Sequence, residues 1–230
     1  MNDLRFACRQ LLKNPGFAFV AIITISLCLA ANLTIFAVVD AVLLRPLPFP
    51  EPDRLVAIYN SYPKIGRARG QSSYLNYHSR RDSIRAFDHL AAFEYGGGTV
   101  GEPGATEPAE ILRVSPEFFS VLGSIPFSGR AFTEAEMTYK SDSVVVITDE
   151  YRRRHFGSDV SALGRSVRID GLSKTVVGVL PDGFRFLSSR AQLFIPLSVD
   201  RDVLRIERLH NGGFEMIGRL KAGVSLAEAR

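Results

Sequence analysis

The sequence predicts an α+β (mixed α/β) extracytoplasmic domain preceded by a single transmembrane helix. Three observations carry this. The stretch FAFVAIITISLCLAANLTIFAVVDAVLL, residues 17–44, holds no Lys, Arg or Glu, and its sole acid, Asp40, comes late. Basic residues precede it and a proline-dense segment follows it. Beyond that segment, short apolar runs of strand length alternate with short helical patterns and turn signals.

In chain order, MNDLRFACRQLLKNP places Leu4, Ala7, Cys8, Leu11 and Leu12 at helical spacing, with Arg5, Arg9 and Lys13 largely off that face. Residues 1–16 therefore read as a cytoplasmic amphipathic juxtamembrane helix, broken or redirected at Asn14-Pro15-Gly16. The run from Phe17 to Val39 exceeds the roughly 20 apolar residues that cross a bilayer. Arg5, Arg9 and Lys13 set the topology: by the positive-inside rule the N-terminus is cytoplasmic and the following domain lies outside. A cleavable signal peptide is the rival reading, since a basic start, an apolar core and small residues at Ala30-Ala31 are all present. Apolar character resumes at Leu33 and runs to Leu44, longer than a signal core needs, which favours an uncleaved helix with its extension over 17–44. Bulky Leu27 weakens a lipoprotein reading at Cys28.

Polar groups inside a span are costly unless partnered. Asn32 either bonds across a helix–helix interface, where the small Ala30 and Ala31 permit close approach, or bonds locally. Asp40 reads as already at the water interface. Residues 45–52, with Arg45, Pro46, Pro48, Pro50 and Pro52, form a Pro-rich connector in which neither helix nor central strand can continue.

The folded domain occupies 53–230. DRLVAIYN over 53–60 reads as a first strand, Tyr74 to Phe87 as helix, and His89 to Tyr95 as a strand ended by Gly96-Gly97-Gly98. Glu110 to Val114 is a strand. Ser115-Pro116-Glu117 then opens a short helix that Gly123 closes. SVVVIT over 143–148 is the clearest strand, after which Asp149 caps a helix that stops at Gly157. Ser166 to Asp170 and Lys174 to Leu180 flank a Gly171-Leu172-Ser173 turn and predict a hairpin. Strands are also expected over 192–197 and 214–221. Ser225-Leu-Ala-Glu228 is a capping box with too little chain after it for a stable helix, so the polypeptide reads as interrupted.

Net charge is only +4, and half of that sits in the first sixteen residues. Composition thus offers no argument for nucleic-acid binding. Cys8 and Cys28, the only cysteines, precede the domain, which excludes a disulfide framework or cysteine metal site there. There is no P-loop, G-x-S-x-G elbow or H-E-x-x-H helix. His78, His89, His155 and His210 lack metal-ligand spacing, and Asp142, Asp149 and Asp170 form no recognisable acid pair. Arg152-Arg153-Arg154-His155 on a helix points to different faces and reads as solvated surface. No cofactor, metal or catalytic residue is expected, and the chain is not expected to be an enzyme.

Several stretches resemble the N-terminal part of MacB/FtsX-type ABC transporter permeases with a MacB-like periplasmic core domain. They are LRFACRQLLKNPGF, ANLTIFAVVDAVLLRPLPFPEPDRLV, RVSPEFFSVLGSIPFSGRAF, VVVITDEYRRRHFG, GRSVRIDGLSKTVVGVLPDGFRF and GRLKAGVSLAEA, in family order along nearly the whole chain. The resemblance implies a fragment of a membrane-spanning permease subunit in the bacterial inner membrane, its main domain periplasmic. Such a subunit passes ATPase-driven motion to the periplasmic domain. The implied partners are an ABC ATPase subunit or domain, a second permease subunit in a homo- or heterodimer, a periplasmic adaptor protein and membrane lipid. The alternative is a membrane-anchored extracytoplasmic binding or scaffold module without transport activity.

Overall fold

Strands whose alternate side chains are buried on both sides build the folded part of this chain. The computed structural model describes residues 13–40, 47–63, 66–157, 161–187, 189–199 and 213–229. The chain divides into a unit over Met1–Leu47 and a second over Pro48–Arg230.

In the first unit, helix α1 spans Pro15–Val39. Pro15 sits at the start of the helix, where its missing N–H costs nothing, and Asn14 before it, at φ -125 and ψ 72, lies outside helical geometry. Asp40 follows as its C-cap. The expected amphipathic segment with Arg5 and Arg9, the extension over 41–44, and Arg45 and Pro46 lie outside the described residues, as does His210.

The second unit contains β1 (Leu55–Ile58), β2 (Asn60–Tyr62), β3 (Arg67–Gly70), α2 (Tyr74–Ser83), β4 (Phe87–Val100), β5 (Glu107–Val114), α3 (Phe118–Leu122), β6 (Ser128–Gly129), β7 (Val144–Thr148), α4 (Asp149–Phe156), β8 (Ser166–Ile169), β9 (Leu172–Leu180), β10 (Leu193–Pro196) and β11 (Glu215–Leu220). Among the described residues one sheet runs in the order β1-β11-β4-β5-β10-β7-β9-β6, while β2 and β3 pair separately. β10 pairs parallel with β5, and β7 pairs parallel with β9. The other pairings are antiparallel.

β8 pairs with β9 and also with β4, at Val100↔Ile169. The path β4-β5-β10-β7-β9-β8 thus returns to β4 and closes a small barrel. Its interior holds Val100, Ile111, Leu193, Ile195, Val145, Ile147, Val176, Val179, Val167 and Ile169, contributed by all of these strands. Alternate residues on the same strands point the other way. Phe93, Leu112, Val114, Val146, Leu180 and Phe194 meet Phe118, Phe119, Val121 and Leu122 of α3 and Phe49, Phe132 and Phe186 from irregular segments. A third cluster joins Leu90, Ala92 and Met216 to Tyr77 of α2.

Closure explains a departure from the sequence reading. Gly96-Gly97-Gly98 was expected to end a strand, yet β4 runs through all three. One edge of β4 bonds β11 as far as Phe93 and β8 at Val100, so the glycines occupy the interval where the strand changes partner. A Cβ on Gly98 would lie 2.7 Å from the tip of Ile111 and 2.9 Å from the Asp170 carboxylate. That carboxylate accepts the Thr99 N–H at 2.7 Å and pins the closure.

Other boundaries shift for local reasons. The first strand divides at Tyr59 into β1 and β2, and α2 stops at Ser83 because Phe87 already belongs to β4. Ser115 does not cap α3: its hydroxyl accepts the Ala92 N–H at 3.1 Å and ties the helix approach to β4. Thr148, not Asp149, caps α4, accepting the Tyr151 N–H at 3.2 Å. The expected β8–β9 hairpin forms, but its turn is the two residues Asp170, at φ 50, and Gly171, at φ 77, while Leu172 and Ser173, read as turn, belong to β9. Gly123 ends α3 at φ 65. The Ser225–Glu228 capping box closes a single turn, with the Ser225 N–H donated to Glu228 at 2.8 Å.

Candidate functional site

Without a catalytic motif, the functional candidates are the apolar helix and the root by which the chain enters the domain. α1 is long and apolar enough to cross a membrane, and its 25 residues rise about 37 Å at 1.5 Å each. None of its residues is buried against protein; Phe17, Ile22, Leu27, Leu33 and Ile35 all point outward.

Its polar side chains turn back on the helix. Thr24 donates to the Val20 carbonyl at 2.9 Å, Asn32 to Cys28 at 2.9 Å and Thr34 to Ala30 at 2.8 Å. Of the readings open for Asn32, local bonding is the one seen in the single chain, and it satisfies an amide N–H that hydrocarbon would leave stranded. The same amide has a second N–H and an oxygen available to a neighbouring helix. Ala30 and Ala31 lie beside it on exposed faces, and Lys13 is exposed just before the helix.

At the root, Pro48, Pro50 and Pro52 belong to the domain unit. Between Pro48 and Pro50, Phe49 is 6% exposed and inserts into the aromatic cluster, its ring 6.2 Å from that of Phe184. Pro50 packs beside Gly123, and Pro52 begins a 3-10 turn over Pro52–Arg54. Glu51 adopts φ 47, a left-handed backbone uncommon for a residue with a side chain.

Charged groups lock this turn. Arg54 donates to the Leu220 carbonyl at 2.8 Å and to Glu51 at 2.7 Å, and pairs with Asp88. Arg219, nearly buried, donates to the Val121 carbonyl of α3 at 2.8 Å and lies 3.8 Å from Glu51. Burial, and Arg54 nearby, lower the proton affinity of the Arg219 guanidinium, while Glu51 and Asp88 oppose them. The root is therefore bonded to β11, β4 and α3 together. The prolines read as a stiff connector, and the apolar Phe49 among them is the signal that this segment also docks on the domain.

A second polar network joins α2 to the approach of α3. The Tyr77 hydroxyl donates to Glu117 at 2.7 Å, and Arg81 pairs with Glu117 at 3.4 Å and also with Glu134. Burial first, and then Glu117, raise the Glu134 carboxyl above its ordinary value; Arg81 opposes them. Burial chiefly lowers His78, which packs against Tyr74 and Tyr77. His155 stacks on Tyr151 at 4.1 Å. Asp149, 3% exposed, is paired with Arg152 at 2.7 Å and Arg153 at 2.5 Å; Asp142 holds Lys174 at 2.8 Å. These acids are structural pairs, and among the described residues no cluster of His, Cys, Asp and Glu could hold a metal ion.

A family model, described as the MacB-like periplasmic core domain, matches residues 18–230, and the chain belongs to this family. Among solved structures, the periplasmic region of MacB from Actinobacillus actinomycetemcomitans is 17% identical, with a TM-score of 0.55 over 76% of this chain and 77% of that one. The extracellular domain of the noncanonic ABC-type transporter YknZ from Gram-positive bacteria is 13% identical, with a TM-score of 0.51 over 76% and 86%. A domain described as that of a permease protein from Porphyromonas gingivalis is 20% identical, with a TM-score of 0.55 over 77% and 79%. At these identities the likeness is one of fold. A search of curated proteins gives no significant match. Family and span-length helix agree with a membrane-anchored protein whose folded domain is extracytoplasmic.

Proposed function

We propose that this chain is part of a permease subunit of a MacB/FtsX-type ABC export system, and that it transmits ATPase-driven motion from its membrane helix to its periplasmic domain. The carrying observation is the family match, which runs from within α1 to residue 230. Proposed partners are an ABC ATPase subunit or domain, a second permease subunit, a periplasmic adaptor and membrane lipid. Chemistry resides in the ATPase; this chain contributes no catalytic residue and no cofactor site.

The bonded root supports such a role physically. Displacement at Pro48 is passed through Phe49, Arg54 and Arg219 to the sheet and α3 together, because each is held by packing or a short hydrogen bond. Rigid coupling of this kind moves a domain as a body. In the membrane, Asn32 with Ala30 and Ala31 packs against a neighbouring helix, and Arg5, Arg9 and Lys13 keep the N-terminus cytoplasmic.

The test is affinity isolation of the full chain from bacterial membranes after crosslinking. An ABC ATPase is expected in the product and should be lost when residues 1–39 are replaced by an unrelated span. A chain that remains monomeric and partnerless overturns the proposal in favour of an anchored binding or scaffold module. For orientation, Ser141→Cys should react with a membrane-impermeant maleimide in spheroplasts, and protection there would reverse the topology.

A further inference from the structure

Between Glu117 and Arg130 the chain carries no charge, and the loop after Gly123 presents two large apolar side chains to solvent: Ile125 is 64% exposed and Phe127 60%. Pro126 between them is half-buried over Gly178, where an added Cβ would lie 3.2 Å from its ring. The Phe127 and Arg130 N–H groups donate to the Val179 and Val177 carbonyls, each at 2.9 Å. The loop backbone is therefore fixed on β9, and both side chains are held where water gives them nothing.

This loop lies at the root's end of the domain. A Cβ on Gly123 would touch the Pro50 ring at 3.2 Å, and Phe49 packs on Phe184, just beyond the end of β9. Pro48 follows Val39, the last residue of α1, by 48 − 39 = 9 residues, and a chain of that length reaches at most about 32 Å. With α1 across the bilayer, such a tether turns a weak contact between the root's end and lipid into an intramolecular one. A phenyl ring and a branched aliphatic chain on an uncharged loop suit the boundary between headgroups and acyl chains.

We propose that Ile125 and Phe127 insert into the membrane leaflet facing the domain, so that the domain rests on lipid beside its root. The inference rests on α1 spanning the bilayer and is independent of any transport role.

The chain contains no tryptophan, so single tryptophans report position directly. Four full-length variants, Phe127→Trp, Ile125→Trp, Leu172→Trp and Leu27→Trp, are reconstituted separately in vesicles of phosphatidylcholine and phosphatidylglycerol, with and without bromine on the acyl chains. Leu172, 65% exposed, begins β9, 179 − 172 = 7 residues from Val179, or about 20 Å along the strand. Leu27 lies midway along α1 and reports the span itself.

Tryptophan at 127 and at 125 should each lose about half its emission to the bromines, and that at 172 none. Adding Ile125→Asp to the Phe127→Trp chain should abolish the loss at 127. Quenching at 27 without quenching at 125 and 127 overturns the proposal and leaves the span intact; no quenching at 27 removes both. Emission at 127 that is unquenched but shifts to the blue as protein is added per lipid assigns the loop to a second copy of the chain. Quenching at 127 that survives Ile125→Asp assigns it to the tether alone, and either of these results also overturns the proposal.

Discussion

The two faces of the sheet are filled by different chemistry. Within the barrel the side chains are mostly Val and Ile, supplied by strands that surround them. Across the sheet lies a cluster rich in phenylalanine, covered by the short α3 and by segments without regular structure that carry Phe49, Phe132 and Phe186. β-Branched residues are stiff and suit a pleated wall that closes on itself. Phenyl rings instead span the wider gaps beneath a cover that is not itself a sheet, and their edge contacts fix that cover in place. Phe118 meets Phe93 at 5.8 Å, Phe119 at 5.5 Å and Phe186 at 4.9 Å. The aliphatic side is thus held by topology, while the aromatic side is held by a few large contacts.

The sharpest way to break this contrast is Phe118→Ala. It removes the hub of the aromatic face and should cost about 3–5 kcal/mol, read by urea-dependent proteolysis of the full chain in micelles. A loss below 1 kcal/mol would mean that the rings are not what hold α3. Arg219→Met comes next: it keeps much of the volume but leaves the Val121 carbonyl without its donor, for about 1–3 kcal/mol by the same assay. Rapid proteolysis near Pro48 should accompany it if Arg219 ties the root to α3.

On the aliphatic side, Ile147→Val removes one methylene from the barrel and should cost about 0.5–1.5 kcal/mol. A larger loss would show that the barrel interior tolerates no slack. The smallest effect lies at the rim of the aromatic face, where Glu136 accepts the Thr133 N–H at 2.8 Å and pairs with Arg130 at 2.6 Å. Burial alone would raise this carboxyl, but the hydrogen bonds from Arg130 and Thr133 hold it below the ordinary value. Its contribution is present above the unfolded pKa of about 4.3 and is lost as pH falls through the lower folded value. Glu136→Gln should therefore destabilise near neutrality, and its difference from the parent chain should shrink below about pH 4. A difference that stays constant with pH would assign the effect to shape.

Much of this contrast was hidden in the sequence because it depends on pairings far apart along the chain. Features governed by neighbours were legible: the apolar helix, the SVVVIT strand, the existence of the β8–β9 hairpin and the Gly123 stop all follow from local preference, although the hairpin turn lies one residue earlier than Gly171-Leu172-Ser173. Gly96-Gly97-Gly98 was misread because glycine usually breaks a strand, whereas here it lets a long strand change partners. Ser115 has the composition of a cap but spends its hydroxyl on Ala92, which lies 23 residues away. The root read as a spacer because its prolines outweighed Phe49.

The placement of β1 has a consequence for synthesis. Leu55 pairs with Arg219, 219 − 55 = 164 residues later, and among the described residues β1 has no other strand partner. At a translation rate of roughly 5–20 residues per second, Leu-Val-Ala-Ile waits on the order of 8–30 seconds for the strand that completes it. An apolar strand left unpaired for that long is a template for pairing with other chains. Ribosome-bound intermediates ending before residue 215 should therefore recruit holdase chaperones, and those extending well past Leu220 should release them.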